Sequence, residues 1–194
     1  MKNLESAVNV NMNIANPAPL GLFGFGSTTI LLNLHNIGLF DVNSAILGMG
    51  IFVGGIAQVI AGMQENKKGN TFGATAFTAY GCFWLSLVAI FVMPAAGIKV
   101  NATDHTALGA YLSIWGLFTA GMFGATMKSS KVTQGVFGSL TILFFLLALE
   151  NFTHISAIGM AAGITGIICG GLAFYDAMAQ IINGTYGKTI LPLG

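Results

Sequence analysis

The 194 residues are 55% hydrophobic and only 7% charged, whereas a soluble domain carries about 25% charged residues to solvate its surface. This composition excludes a soluble globular domain and predicts a protein whose solvent is lipid. The formal net charge is +1, and the few lysines lie in short separate clusters, so no electropositive face is available for binding a nucleic acid.

Six apolar stretches follow one another along the chain. The polar stretch 1–16 before them lacks the apolar core of about 7 to 15 residues that a cleavable signal peptide needs, so we expect the first membrane helix to be the first insertion signal. Each apolar stretch has close to the roughly 20 residues that a membrane helix requires. We therefore predict an all-α, single-domain, polytopic membrane protein with six transmembrane helices. The predicted spans are 19–36, 44–63, 73–93, 107–127, 133–149 and 156–182.

The lysines indicate the direction of the six predicted spans. An even number of spans puts both termini on one side, and lysines are enriched on the cytoplasmic side. Lys99 falls on the side opposite the termini, together with Asp41, Asp104 and Glu150. The lysines on the side of the termini are Lys2, Lys67, Lys68, Lys128, Lys131 and Lys188. This distribution predicts a multi-pass protein of the cell membrane with both termini in the cytoplasm.

Two prolines mark the start of the first span, in the run Asn16-Pro17-Ala18-Pro19. Proline lacks an amide donor and restricts the residue before it, so the helix cannot extend backward and Pro19 can open it. The first-turn amides from Leu20 onward would then be free at a positive helix end. They predict either a resting place for an anion at the inner mouth or a simple helix start at the interface.

Polar side chains within the spans are few. The central turns contain no Asp, Glu, Lys, Arg or His, so we expect no enzyme, no cofactor and no metal site. Asn33 and Gln58 must face protein or water, because an amide is costly to leave in lipid. The hydroxyl of Thr28 either lines a pore or bonds to the preceding turn. His35 is either a hydrogen-bonded histidine or a titrating group in an outer vestibule. Asp176, about two turns from the inner end of the last span, has either an interfacial role or a place in the transport path.

Residues 16–25, Asn-Pro-Ala-Pro-Leu-Gly-Leu-Phe-Gly-Phe, resemble the motif of the acetate uptake transporter family. The resemblance covers nearly the whole chain and is strongest to the bacterial succinate-acetate permeases. It implies a homo-hexamer of six-helix protomers in membrane lipid, each with its own pore for acetate and, in some members, succinate. The other segments that carry it are 28–36, 54–58, 68–73 and 189–192.

The resemblance also implies a narrow hydrophobic constriction, which the family builds from a Phe, a Tyr and a Leu. The matching positions are Phe25, Tyr80 and Leu140. At 1.5 Å rise per residue, all three lie roughly 1 to 5 Å to the cytoplasmic side of the midplane and can form one ring. Ala173, roughly 6 Å below the centre of the last span, could set the width beside that ring.

A hydrophobic neck excludes water, so a carboxylate must lose its hydration shell there or cross as the neutral acid. Channel and proton-coupled symport both stay open, as does the preference between acetate and succinate. The alternative is a hexameric channel for neutral small solutes such as urea or short amides, which would have similar helices and a similar aromatic ring. The dependence of flux on substrate charge distinguishes the two functions.

Overall fold

The computed structural model describes residues 15–194, so Lys2 and most of the polar stretch 1–16 lie outside the described residues. Within that range the regular structure is helical, which confirms the predicted all-α class. Each predicted stretch lies inside one helix. The helices are α1 (Ala18–Asn36), α2 (Ser44–Lys67), α3 (Thr71–Ala95), α4 (His105–Lys128), α5 (Lys131–Thr153) and α6 (Ser156–Tyr186).

Helices α2 to α6 are all long and apolar enough to cross a membrane. The 19 residues of α1 are less apolar, because this helix contains Pro19 near its start and Asn33, His35 and Asn36 near its end. It packs mainly against α2 and α6 and also contacts α3. Its polar side chains Thr28, Thr29 and Asn33 are buried among these helices rather than left facing lipid.

Glycines let α1 and α6 approach until their backbones touch. A Cβ atom added to Gly26 would stand 2.7 Å from the Gly170 carbonyl oxygen, and one added to Gly170 would stand 2.7 Å from the Gly26 oxygen. On the other side of α1, a Cβ on Gly24 would stand 2.5 Å from the Val53 oxygen in α2. These are the small-residue contacts typical of membrane helices, which associate by close packing rather than by the hydrophobic effect.

Helix α2 contains a π-helical stretch, Gly50–Ala57, in which the backbone bonds span five residues instead of four. The stretch ends at Gln58, whose backbone amide donates to Gly55 O. The side-chain Nε2 of Gln58 donates to Gly54 O at 2.7 Å, so a backbone carbonyl of the wider stretch gains a partner. The Gly54 carbonyl, which lies in the π-helical stretch, therefore holds the Gln58 amide in one orientation.

All six helices extend beyond their predicted spans, and in two of them the extension includes an acidic residue. The second span was predicted to end at residue 63, but α2 continues to Lys67 and includes Glu65 in its last turn. The Glu65 side chain is fully buried and accepts a hydrogen bond from Asn70 Nδ2 at 2.7 Å. Likewise α5 continues to Thr153 and contains Glu150, which was expected in the following connection. Hydropathy does not show whether a neighbouring element buries a polar residue. A polar residue in the last turn of a helix is therefore predicted as part of a loop.

Candidate functional site

Two cavities lie between the helices, one on each side of Phe25 and Leu140. The larger has a volume of about 200 Å³ and is at the end of the bundle where α1 begins. The smaller has a volume of about 30 Å³. Phe25 and Leu140 line both cavities and are 6% and 3% exposed. These two side chains therefore form the wall between the cavities.

The deep end of the larger cavity is apolar. Tyr80 lines it beside Phe25, with the two ring centroids 5.9 Å apart, and Phe137 packs on the other side of Tyr80 at 6.1 Å. The Tyr80 hydroxyl donates to Thr119 Oγ1 of α4 at 2.9 Å, which gives the phenol oxygen a protein partner. The structure thus brings Phe25, Tyr80 and Leu140, the three predicted constriction residues, to the wall of one cavity.

The opposite end of this cavity is polar. Asp176 lines it and is only 2% exposed, so its carboxyl group faces the cavity rather than an open interface. Gln180 Nε2 donates to Asp176 Oδ1 at 2.9 Å, and Thr133 Oγ1 donates to Oδ2 at 3.2 Å. Asn70 and Ser129 complete the polar lining. Sequence reasoning missed Gln180 and Thr133, although Asp176 and Gln180 are four residues apart and so lie on one face of α6.

The amide of Asn16 connects two helices at this end of the bundle. Lys68 Nζ at the end of α2 donates to Asn16 Oδ1 at 3.1 Å, and Asn16 Nδ2 donates to Gln180 Oε1 of α6 at 2.8 Å. The first residue of the Asn-Pro-Ala-Pro motif therefore joins a hydrogen-bonded chain that ends at Asp176.

The predicted anion site at the start of α1 loses its physical basis in the structure. The amides of Leu20 and Gly21 both donate to the Pro17 carbonyl oxygen, at 3.1 and 3.4 Å. They are therefore not free to bind an anion. Leu20 is 43% exposed and lines neither cavity.

Gln58 lies on the wall of the larger cavity and is fully buried. Its Nε2 is used by Gly54 O. Its Oε1 is also buried and has no hydrogen-bond partner in the described part of the chain. Because the opposite amide orientation would set two oxygens against each other, the atom left without a partner is an acceptor.

Asn33 lies on the wall of the smaller cavity, beyond Phe25 and Leu140. Its Nδ2 donates to Thr29 O at 2.9 Å, and its Oδ1 accepts from Asn36 Nδ2 at 3.0 Å. A Cβ atom on Gly166 of α6 would overlap the Asn33 side chain. Asn33 therefore both borders a cavity and packs α1 against α6.

Three further predicted pathway residues line neither cavity: Thr28, Ala173 and His35. Thr28 packs against Gly54 of α2, where a Cβ would stand 3.0 Å from its methyl carbon. Ala173 is fully buried, and its backbone lies against Gly26 of α1. His35 Nδ1 is hydrogen-bonded to Phe40 O at 2.8 Å. Their observed contacts are thus with neighbouring helices or the following loop, and their place on the substrate pathway stays a prediction.

A bundle of apolar helices that encloses a cavity, polar at one end and aromatic at the other, is characteristic of membrane transport proteins. The sequence matches the GPR1/FUN34/yaaH family over residues 2–192. The chain belongs to this family, which confirms the resemblance to acetate uptake transporters.

Individual relatives are similar over most of the chain. It is 56% identical over 184 residues to the succinate-acetate/proton symporter SatP of Escherichia coli strain K12, covering 95% of this chain and 97% of that protein. It is 41% identical over 174 residues to ammonia transport outward protein 2 of Saccharomyces cerevisiae, covering 86% of this chain and 61% of that protein. The solved structure of the bacterial acetate channel SatP superimposes with a TM-score of 0.91 at 57% identity, covering 93% of this chain and 99% of that one.

Proposed function

We propose that this protein passes acetate and similar small carboxylates, such as succinate, across the cell membrane. The observation that carries the proposal is the cavity of about 200 Å³ with a polar end and an apolar, aromatic end. Since a water molecule occupies about 30 Å³ of liquid volume, this space holds several waters or one small acid. The similarity to proteins named for acetate and succinate supports the same substrate class.

We further propose that Phe25, Tyr80 and Leu140 form the constriction of the transport path. Phe25 and Leu140 stand between the two cavities, and a ring of apolar side chains at such a point closes a pore by excluding water. Ala173 would act on this ring through α1. Its backbone lies against Gly26, the neighbour of Phe25 in sequence, so a larger residue at 173 would displace the helix that carries Phe25.

For the membrane arrangement we propose six spans, with α1 counted among them and both termini in the cytoplasm. The charge distribution supports this orientation, because lysines are concentrated at the end of the bundle where the larger cavity lies. That cavity would then open toward the cytoplasm. Those lysines in the described part of the chain are Lys67, Lys68, Lys128, Lys131 and Lys188.

The proposed assembly is a homo-hexamer in which each protomer has its own pore. Large apolar side chains remain exposed on the isolated protomer, among them Phe52, Ile114 and Leu117 at 66%, 67% and 67%. A surface of this kind is suited to lipid or to neighbouring protomers. Mass measurement of the detergent-solubilised protein tests the number of copies directly.

A channel for neutral solutes is the second candidate function. One observation favours it: the described lining of the larger cavity contains no Lys, Arg or His. Such a cavity lacks the cationic side chains that recognise an anion directly. The relative named for ammonia transport points in the same direction.

Uptake into proteoliposomes distinguishes the two functions. Labelled acetate, labelled urea and labelled acetamide are compared with and without an imposed pH gradient, and protein-free liposomes provide the background leak of the neutral acid. We expect saturable acetate uptake that increases when the acetate side is acidified, with little uptake of urea. Rapid urea uptake, together with acetate uptake no faster than the protein-free background, would support the neutral-solute channel instead.

A further inference from the structure

The larger cavity combines a buried carboxyl group with an absence of basic side chains from its described lining. The Asp176 side chain accepts two hydrogen bonds, from Gln180 and Thr133. Within residues 15–194 no Lys, Arg or His lies within ion-pair distance of it. A cavity that bound a free carboxylate by charge would present Arg or Lys in this place.

The helices packed against α6 provide no close charge either. These helices are α1 and α5. The titratable group of α1, His35, is near the far end of that helix, and Lys131 at the start of α5 donates instead to Gln134 Oε1 at 3.3 Å. Lys68 reaches Asp176 only through Asn16 and Gln180. Among residues 15–194, the other charged side chains at this end of the bundle are Glu65, Lys67, Lys128 and Lys188.

A carboxylate substrate entering this cavity would meet a second carboxylate in a poorly solvated space. Two like charges in one site cannot both stay ionised without a cation, and such pairs hold one proton between them. In the shared state one carboxyl group donates its O–H to the other, a short and strong charge-assisted hydrogen bond. The repulsion is thereby converted into an attraction.

We infer that the acid substrate binds in the larger cavity as a pair with Asp176 that holds one shared proton. The inference rests on the proposed carboxylate transport and adds the residue that would bring a proton with each acid. The proton comes from the water at the mouth of the cavity and leaves with the acid. Only O–H bonds are made and broken, and the net charge of the bound pair is −1.

The second polar group on the cavity wall fits the same substrate form. Gln58 presents a fully buried oxygen without a partner, and an oxygen acceptor is complementary to an O–H donor but repels a carboxylate. Asp176 and Gln58 therefore both favour an acid that carries a proton.

Proton counting on the purified protein tests the pair. Labelled acetate binding is measured in weakly buffered detergent solution at pH 7, and a pH-sensitive dye reports the protons taken up. Because a small carboxylic acid in water ordinarily titrates near pH 4 to 5, acetate arrives at pH 7 without a proton, and the shared pair takes about one proton per acetate from solution. By the same linkage, acetate affinity should fall about tenfold per pH unit above pH 7. Acetamide, a neutral analogue of similar size, should bind without proton uptake.

The Asp176→Asn substitution removes the carboxyl group that would share the proton, while nearly keeping the shape of the side chain. In this variant we expect proton uptake to fall close to zero, and the affinity to lose its pH dependence, because the amide N–H can donate to the free carboxylate. Asp41→Asn is the matched control, since Asp41 is exposed near the opposite end of the bundle, and it should keep about one proton per acetate. About one proton per acetate in both the parent and Asp176→Asn would overturn the inference, as would none in the parent.

A second variant keeps the test decisive if Asp176→Asn does not fold. Thr133→Val retains the carboxyl group but removes the hydroxyl that donates to Oδ2 at 3.2 Å. We expect Thr133→Val to change the acetate affinity while still taking up about one proton per acetate, because the carboxyl partner remains and loses one of its donors. Unchanged affinity would contradict the pair, as would binding without proton uptake. Absence of any saturable acetate binding in the parent protein would instead remove the proposed function itself.

Discussion

Replacing Leu140 by alanine tests the wall between the two cavities. The Leu140 side chain is 3% exposed and lines both cavities. The substitution removes three carbon atoms from this wall, so the cavities of about 200 and 30 Å³ should become more nearly continuous. We expect acids bulkier than acetate, such as lactate and propionate, to pass more readily while acetate uptake persists.

The expected changes in substrate ratio and in stability follow from the atoms that Leu140→Ala removes between the two cavities. One additional group in a hydrophobic pocket is worth about 1 to 3 kcal/mol, or roughly 10 to 200-fold in rate. The ratio of lactate to acetate uptake should therefore rise by roughly tenfold or more. The free energy of unfolding should fall by about 2 to 3 kcal/mol, near the lower end of the range for buried leucines, because Leu140 already borders empty space.

The assay is uptake of labelled lactate and labelled acetate by the same proteoliposomes, with thermal unfolding of the purified protein measured in parallel. Leu112→Ala is the matched control, because Leu112 is 4% exposed in the core and lines neither cavity. It should lower stability without altering the substrate ratio. An unchanged ratio in a Leu140→Ala protein that still assembles in the membrane would place Leu140 outside the transport path.

Four further predictions follow, one on topology, one on each of the two amides and one on helix packing. In a background without native cysteines, single cysteines at the exposed positions Asn66 and Ser129 should react only from the cytoplasm and one at Thr103 only from outside; reaction of all three from one face would end the six-span arrangement. Gln58→Leu should weaken acetate binding roughly twofold to tenfold through loss of a neutral hydrogen bond, and unchanged affinity in a stable variant would remove Gln58 from the path. Asn33→Leu should lower stability by about 1 to 3 kcal/mol while largely sparing affinity, because both hydrogen bonds of the Asn33 side chain lie within α1 and the side chain packs against Gly166 of α6. A stable variant with weakened uptake would place Asn33 in the path instead. Gly170→Ala should lower the melting temperature by roughly 3 to 10 °C, because the added Cβ would meet the α1 backbone at 2.7 Å. The control Gly171→Ala should be neutral or slightly stabilising, because the space around its Cβ is open. Equal effects at the two positions would contradict the close α1–α6 contact.

The amino-acid sequence by itself determined the solvent class, the all-α fold and the family. The length of an apolar stretch is a local property of the chain, so the spans can be predicted without knowing how the helices pack. Each predicted span does lie inside one helix. The motif at residues 16–25 identified the family by resemblance, and it combines helix-start chemistry with glycines that leave room for close packing. The same alignment led to Phe25, Tyr80 and Leu140, which share the wall of one cavity.

Only the tertiary structure decided which other side chains face that cavity. Ala173 and Asp176 are three residues apart on α6, yet Ala173 lies against α1 and Asp176 lines the cavity beside Thr133. In a soluble helix the change from apolar to polar residues shows which face is buried. In a membrane helix the faces toward lipid and toward protein are both apolar, so the sequence leaves the rotation about the helix axis open. That rotation is set by contacts such as Gly26 against Gly170, which form only when the helices pack together.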